Sequence, residues 1–133
     1  MTGYAFFAVG FGAAFGSWLR WWLGIVLNSV LPNMPLGTLA ANLLGGYLMG
    51  LALGYFEHFQ ALAPETRLMI TTGFLGGLTT FSTFSAEATT LLLRHEYGWA
   101  TAIIGAHVVG SLVMTLLGIA TIVFIKLWIG TPQ

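Results

Sequence analysis

Cysteine is absent from this 133-residue chain, and charged residues make up only 6% of it. Without cysteine there is no disulfide, no thiol chemistry and no thiolate metal site. Soluble domains carry charge on about a quarter of their residues, so a surface this poor in charge would not stay dispersed in water. Formal net charge is zero, and no basic cluster offers a surface to nucleic acid.

Apolar residues, in contrast, account for 57% of the chain. The charged side chains leave four charge-free stretches, residues 1–19, 21–56, 68–86 and 97–125. A membrane-spanning helix needs about 20 largely apolar residues, so each stretch can supply one span. Nothing basic precedes the first apolar run, which argues against a cleaved signal peptide. We therefore predict an all-α, multi-pass integral membrane protein in a lipid bilayer.

The four predicted spans leave no room for a soluble domain. Proline and asparagine between residues 28 and 35 end the first span, and charged residues lie in the loops after the second and third spans. Residues 1–133 are thus expected to form one transmembrane domain, with spans at about residues 4–27, 36–56, 68–93 and 97–129.

The basic residues give no preferred orientation in the membrane. With four spans, Arg67 and Lys126 lie on one side, and Arg20 and Arg94 lie on the other. The positive-inside rule therefore gives no direction. Either another feature sets the orientation, or the chain inserts both ways and pairs antiparallel with itself. Four packed helices leave little lumen, so a homo-oligomer is the natural way to build a pathway.

The third predicted span is unusually rich in glycine and hydroxyl residues. Gly73, Gly76 and Gly77 each weaken a helix by about 1 kcal/mol relative to alanine, and five of the seven residues 79–85 carry hydroxyls that compete for backbone partners. We expect a helix break in mid-membrane, whose exposed carbonyl oxygens would suit a hard cation such as Na⁺. The alternative is an intact helix whose hydroxyls bond back to their own carbonyls.

Phenylalanines alternate with hydroxyls in the same span. Phe81 and Phe84 share a helix face, and the hydroxyls between them would be unusual on a lipid-facing surface. A phenyl ring has a positive edge, so a small anion that passes edge-on is attracted weakly enough to leave. The hydroxyls of Ser82, Thr83 and Ser85 can donate hydrogen bonds along the same route.

Polar and charged side chains mark the other spans. The amide of Asn42 can donate two hydrogen bonds to an ion or make an interhelical bond, and both interpretations stand. His107, Ser111 and Thr115 recur every four residues and form a stripe typical of a lining. Charges near spans are functional candidates by default, and two of them suit a vestibule: Arg20 and Glu87.

Residues 37–45 and 73–87 resemble the two signature segments of the Fluc (CrcB) family of fluoride channels. The Gly-Gly-Leu-Thr-Thr-Phe-Ser-Thr-Phe-Ser string is highly specific, and length, spans and charge balance agree over nearly the whole chain. The resemblance implies a dual-topology homodimer in the inner membrane of a prokaryote, with two antiparallel pores and a central structural Na⁺. The implied function is passive export of fluoride from the cytoplasm.

The resemblance also implies roles for individual residues. Phe81 and Phe84 correspond to the family's paired pore phenylalanines, and Asn42 to its pore asparagine. The backbone carbonyls of Gly76 and Thr79 fall where the family's helix break holds Na⁺. Ser111 and Thr115 fall on the family's polar track, and His107 falls at a position that varies among its members. Arg20 and Glu87 fit the family's vestibule charges.

Two rival functions stay open on sequence grounds. Small multidrug exporters have the same size and number of spans, but their pattern includes a carboxylate in the first span. No acidic residue precedes Glu57 in this chain. A non-transporting membrane scaffold predicts that the hydroxyls of the third span matter only for folding. No nucleophile–base pair, metal-ligand cluster or phosphate loop occurs in the spans, so we do not expect an enzyme.

Overall fold

The computed structural model describes residues 3–130, and every regular element within that range is helical. The third of four helices is assembled from short segments and is interrupted once. The prediction of an all-α chain with four helices is confirmed. The elements are α1 (Gly3–Leu27), α2 (Leu36–His58), α3 (Pro64–Leu68), a π-helical segment (Met69–Leu75), α4 (Gly76–Leu78), α5 (Phe81–Leu93) and α6 (Tyr97–Ile129).

Two helices of the described range, α2 and α6, are long and apolar enough to cross a membrane by length and composition. Large apolar side chains also lie on the outside of the bundle, such as Phe11 at 63% and Leu116 at 66% exposure. Soluble monomers rarely expose contiguous apolar surface on this scale. The outer surface therefore suits contact with lipid or with a second copy.

Glycines let the helices touch backbone to backbone. A Cβ atom added at Gly12 or Gly16 would collide with the backbone of the third helix, and one added at Gly50 would collide with the backbone of α6. These contacts fix α1 against the third helix and α2 against α6. Small residues spaced by four are typical of such close crossings.

Gly76 and Gly77 do not break the third helix. Gly76 has helical angles (φ −62°, ψ −37°), and a Cβ atom at Gly77 would collide with the carbonyl oxygen of Ala13. Helical geometry ends instead at Thr79 (φ −87°, ψ 154°) and Thr80 (φ −148°, ψ 118°). These glycines were expected to weaken the helix, whereas Gly77 instead allows close packing on α1.

Candidate functional site

Asn42 of α2 holds both backbone groups of Thr80, where the helical hydrogen bonds stop. Its Oδ1 accepts from the Thr80 amide at 2.8 Å, and its Nδ2 donates to the Thr80 carbonyl at 3.0 Å. In an unbroken helix the Thr80 amide would donate to the carbonyl of Gly76. One side chain therefore replaces the partner that the Thr80 amide has lost and adds a donor to the Thr80 carbonyl, which as N-cap of α5 also accepts the first bond of that helix.

The same amide reaches His107 of α6. Asn42 Nδ2 lies 2.9 Å from His107 Nδ1, so both amide hydrogens are engaged with protein acceptors. The imidazole is buried and stacks on Phe84, with ring centroids 4.6 Å apart and an interplanar angle of 29°. Asn42 thus links three helical elements, α2, α5 and α6, at the interruption.

A cavity of about 420 Å³ lies beside the interruption. The rings of Phe81 and Phe84 meet edge to face there, with centroids 5.5 Å apart and an interplanar angle of 68°. Phe81 is 77% exposed, whereas Phe84 is buried. The cavity brings together eight of the residues predicted from sequence: Asn42, Gly76, Thr79, Phe81, Phe84, His107, Ser111 and Thr115.

The hydroxyls that line this cavity are not equivalent as donors. Thr79 donates to the carbonyl of Leu75 at 2.9 Å, and Thr115 donates to the carbonyl of Ser111 at 2.9 Å. A hydroxyl has only one hydrogen to donate, so these two bond back to their own helix. The hydroxyl of Ser111 has no such bond within residues 3–130 and keeps its hydrogen available to the cavity.

Three further hydroxyls predicted as donors do not line this cavity. Ser82 and Ser85 are exposed on α5. Thr83 lines a neighbouring cavity of about 350 Å³ together with Arg20. The Thr83 amide donates to the hydroxyl of Thr80 at 3.1 Å, which caps the N-terminus of α5.

The two predicted vestibule residues have partners on other helices. Arg20 Nε donates to the carbonyl of Gly77 at 3.0 Å, one of the last carbonyls of α4. Glu87 Oε1 accepts from the hydroxyl of Thr38 at 2.6 Å, while its Oε2 is buried without a hydrogen bond in the described part of the chain. Each charge is therefore tied to a particular element of the bundle.

Three residues of this region were not predicted from the sequence. Thr80 carries the N-cap signal that precedes many helices, and that signal could have identified it. Asn28 Oδ1 accepts from two amides in the first turn of α2, at 2.8 and 3.2 Å. The hydroxyl of Thr38 donates to the carboxylate of Glu87, which lies 49 residues away. Sequence spacing does not reveal a partner at that distance.

The fold and this cavity define a small helical membrane protein with a partly polar cavity beside an interrupted helix. A family model described as CrcB-like protein, Camphor Resistance (CrcB), matches residues 7–119. The chain therefore belongs to the CrcB family, as its signature segments predicted.

Relatives with the name "fluoride-specific ion channel FluC" are similar over most of their length. The Nitrosospira multiformis protein is 64% identical over 90% of this chain and 93% of the relative. The Pseudomonas paraeruginosa protein is 60% identical over 84% and 88%, and the Nitrosomonas europaea protein 53% over 90% and 94%. These relatives are named as channels and not as enzymes, which confirms the prediction that this chain is not an enzyme.

Proposed function

We propose that this chain is a fluoride-selective channel through which F⁻ leaves the cytoplasm passively. The observation that carries the proposal is the meeting of the two signature segments at one cavity, where Asn42 of α2 faces Phe81 and Phe84 of α5. The name shared by relatives at 64% and 60% identity supports the same function.

The chemistry of the cavity suits a small, strongly hydrated anion. A narrow pathway must replace the water around fluoride with hydrogen-bond donors, yet must bind the ion weakly enough to release it. The free hydroxyl of Ser111 and the positive edges of Phe81 and Phe84 meet both requirements without a fixed cation. Larger halides would be too wide for a route so crowded by phenyl groups.

The working unit in this proposal is an antiparallel homodimer with two pores in the inner membrane of a prokaryote. Each copy would cross the bilayer four times as one domain, with the interruption at Thr79 and Thr80 in mid-membrane. The balance of basic residues between the two sides supports insertion in both directions. The exposed ring of Phe81 also favours a second copy, because that ring lies at the edge of an open cavity.

We assign a structural Na⁺ at the dimer centre to the backbone carbonyls of Gly76 and Thr79. The residues fit a hard cation, since the Thr80 amide turns to Asn42 and leaves the Gly76 carbonyl without its helical donor. Carbonyl oxygens freed at an unwound segment are ligands that Na⁺ accepts. When bound, the ion would supply a positive charge that ties the interrupted helices together.

Fluoride efflux from liposomes that contain the purified protein tests this function. We expect rapid fluoride release at a fluoride electrode and little chloride release from the same vesicles. A multidrug exporter would instead require a proton gradient, and a scaffold would release neither ion. Absence of fluoride release from well-folded protein would refute the proposed function.

A further inference from the structure

His107 is buried at 4% exposure, and its two ring nitrogens have different surroundings. Nδ1 lies 2.9 Å from Asn42 Nδ2. Nε2 is also buried, but it has no hydrogen-bond partner within residues 3–130. Within these residues, only the Nδ1 edge of the ring is therefore engaged in a hydrogen bond.

The backbone of Thr80 determines which way the bond between Asn42 and His107 runs. The Thr80 amide can only donate, and it donates to Asn42 Oδ1; the Thr80 carbonyl can only accept, and it accepts from Nδ2. The side-chain amide therefore cannot be flipped. Its second N–H points to His107, so Nδ1 must accept and the ring proton must be on Nε2.

We propose that His107 is a positioning residue, whose Nδ1 holds the Asn42 amide in the orientation that holds Thr80. Stacking on Phe84 also constrains the ring plane, so contacts on two helices set the position of the acceptor. The proposal rests on the proposed channel function only for its conduction readout. In this proposal His107 acts on the interrupted backbone through Asn42 and does not contact the ion.

Two substitutions separate this role from that of an ion ligand. Asparagine places its polar atoms two bonds from Cβ, as Nδ1 is, whereas glutamine places them three bonds from Cβ, as Nε2 is. The variant His107→Asn therefore keeps an acceptor for Asn42, and His107→Gln keeps a polar group on the opposite edge. The same two substitutions at His95, a loop residue bonded to Tyr97, serve as matched controls.

In fluoride efflux, we expect His107→Asn to stay within about threefold of the parent and His107→Gln to fall about tenfold or more, the effect of one lost buried hydrogen bond. The double variant His107→Gln with Asn42→Ala should be no worse than Asn42→Ala alone, because both changes break the same contact. The reverse order of Asn and Gln would overturn the proposal, and so would equal fluxes in the two variants.

A second measurement does not depend on conduction. Nitrogen-15 spectra of histidine-labelled, full-length protein should show His107 unprotonated at Nδ1 and protonated at Nε2, with His58 and His95 assigned by substitution. The Nδ1 signal should move in Asn42→Ala. A proton on Nδ1 in the parent would overturn the proposal, even in a protein that conducts fluoride. A parent that does not conduct but shows the expected tautomer would refute only the proposed function.

Discussion

Replacing Asn42 with alanine should destabilise the fold as well as the ion route. The asparagine side chain makes three hydrogen bonds, at 2.8 and 3.0 Å to the backbone of Thr80 and at 2.9 Å to His107. Alanine makes none of them. The Thr80 amide then loses its only partner within the described chain, and the Thr80 carbonyl, which as N-cap of α5 accepts the first bond of that helix, loses its additional donor.

The magnitude follows from the burial of Thr80. A buried backbone group without a partner costs about 1–3 kcal/mol. Thr80 is half-buried, and the adjoining cavity of about 420 Å³ is roomy enough for water, so the lower end applies to the Thr80 amide. Loss of the bonds to the Thr80 carbonyl and to His107 adds about 1 kcal/mol. We expect the free energy of unfolding to fall by about 2 kcal/mol. Fluoride efflux should fall with it, because the interruption loses its fixed geometry.

The assay is reversible denaturant unfolding of the purified protein, followed by helical circular dichroism. Asn33→Ala is the matched control, since it removes the same amide from a turn residue that has no hydrogen bond in the described structure. The control should change the unfolding free energy by less than about 0.5 kcal/mol. If Asn42→Ala behaves like Asn33→Ala in unfolding and in efflux, the proposed role of Asn42 in holding the backbone of Thr80 would be wrong.

Three further predictions follow from the same region. Phe81→Ala should fold normally, because Phe81 is 77% exposed, yet it should reduce fluoride efflux at least about tenfold. Phe84→Ala should reduce efflux and in addition lower the free energy of unfolding by about 3 kcal/mol or more. Normal efflux in Phe81→Ala would contradict the role of the rings. Gly77→Ala should lower the free energy of unfolding by about 1–3 kcal/mol, because the new Cβ atom collides with the backbone of Ala13. Gly105→Ala should be neutral or stabilising, because nothing lies within 4 Å of its new Cβ atom. Denaturant unfolding of the two variants makes the comparison. Arg20→Gln should lose about 1.5–3 kcal/mol with its charge-assisted bond, and unfolding and efflux data that match the parent would show that the bond is dispensable.

The positions of the helices could be predicted from sequence because charge and proline mark their ends. The second helix was expected at 36–56 and is observed at Leu36–His58, and the first was expected at 4–27 and is observed at Gly3–Leu27. The third helix begins earlier than expected, at Pro64. Proline is well suited to the first turn of a helix, where its missing N–H is not needed, so the helix can begin before the apolar stretch that starts at residue 68.

The chemical types at the site could be predicted, but most of their partners could not. Sequence left two interpretations of Asn42, an ion donor or an interhelical bond, and the structure shows bonds to residues 38 and 65 positions away. The spacing of polar and apolar residues along one helix does not reveal contacts between residues so far apart in the sequence. Thr79 bonds back to a carbonyl four residues earlier, as one interpretation of the third span allowed. Thr115, which was predicted only as part of a lining stripe, makes the same kind of bond.

The bonds at the interruption also bear on how an anion can pass broken backbone. A helix that ends exposes carbonyl oxygens, and these repel an anion. Arg20 of α1 donates to the carbonyl of Gly77, which is one of these acceptors, and Asn42 of α2 adds a donor to the carbonyl of Thr80 at the start of α5. The Gly76 carbonyl, which has lost the Thr80 amide, is the one suited to a cation. In the proposed channel, the side chains that pair these carbonyls are therefore as necessary for fluoride passage as the hydroxyls and phenyl rings that meet the ion.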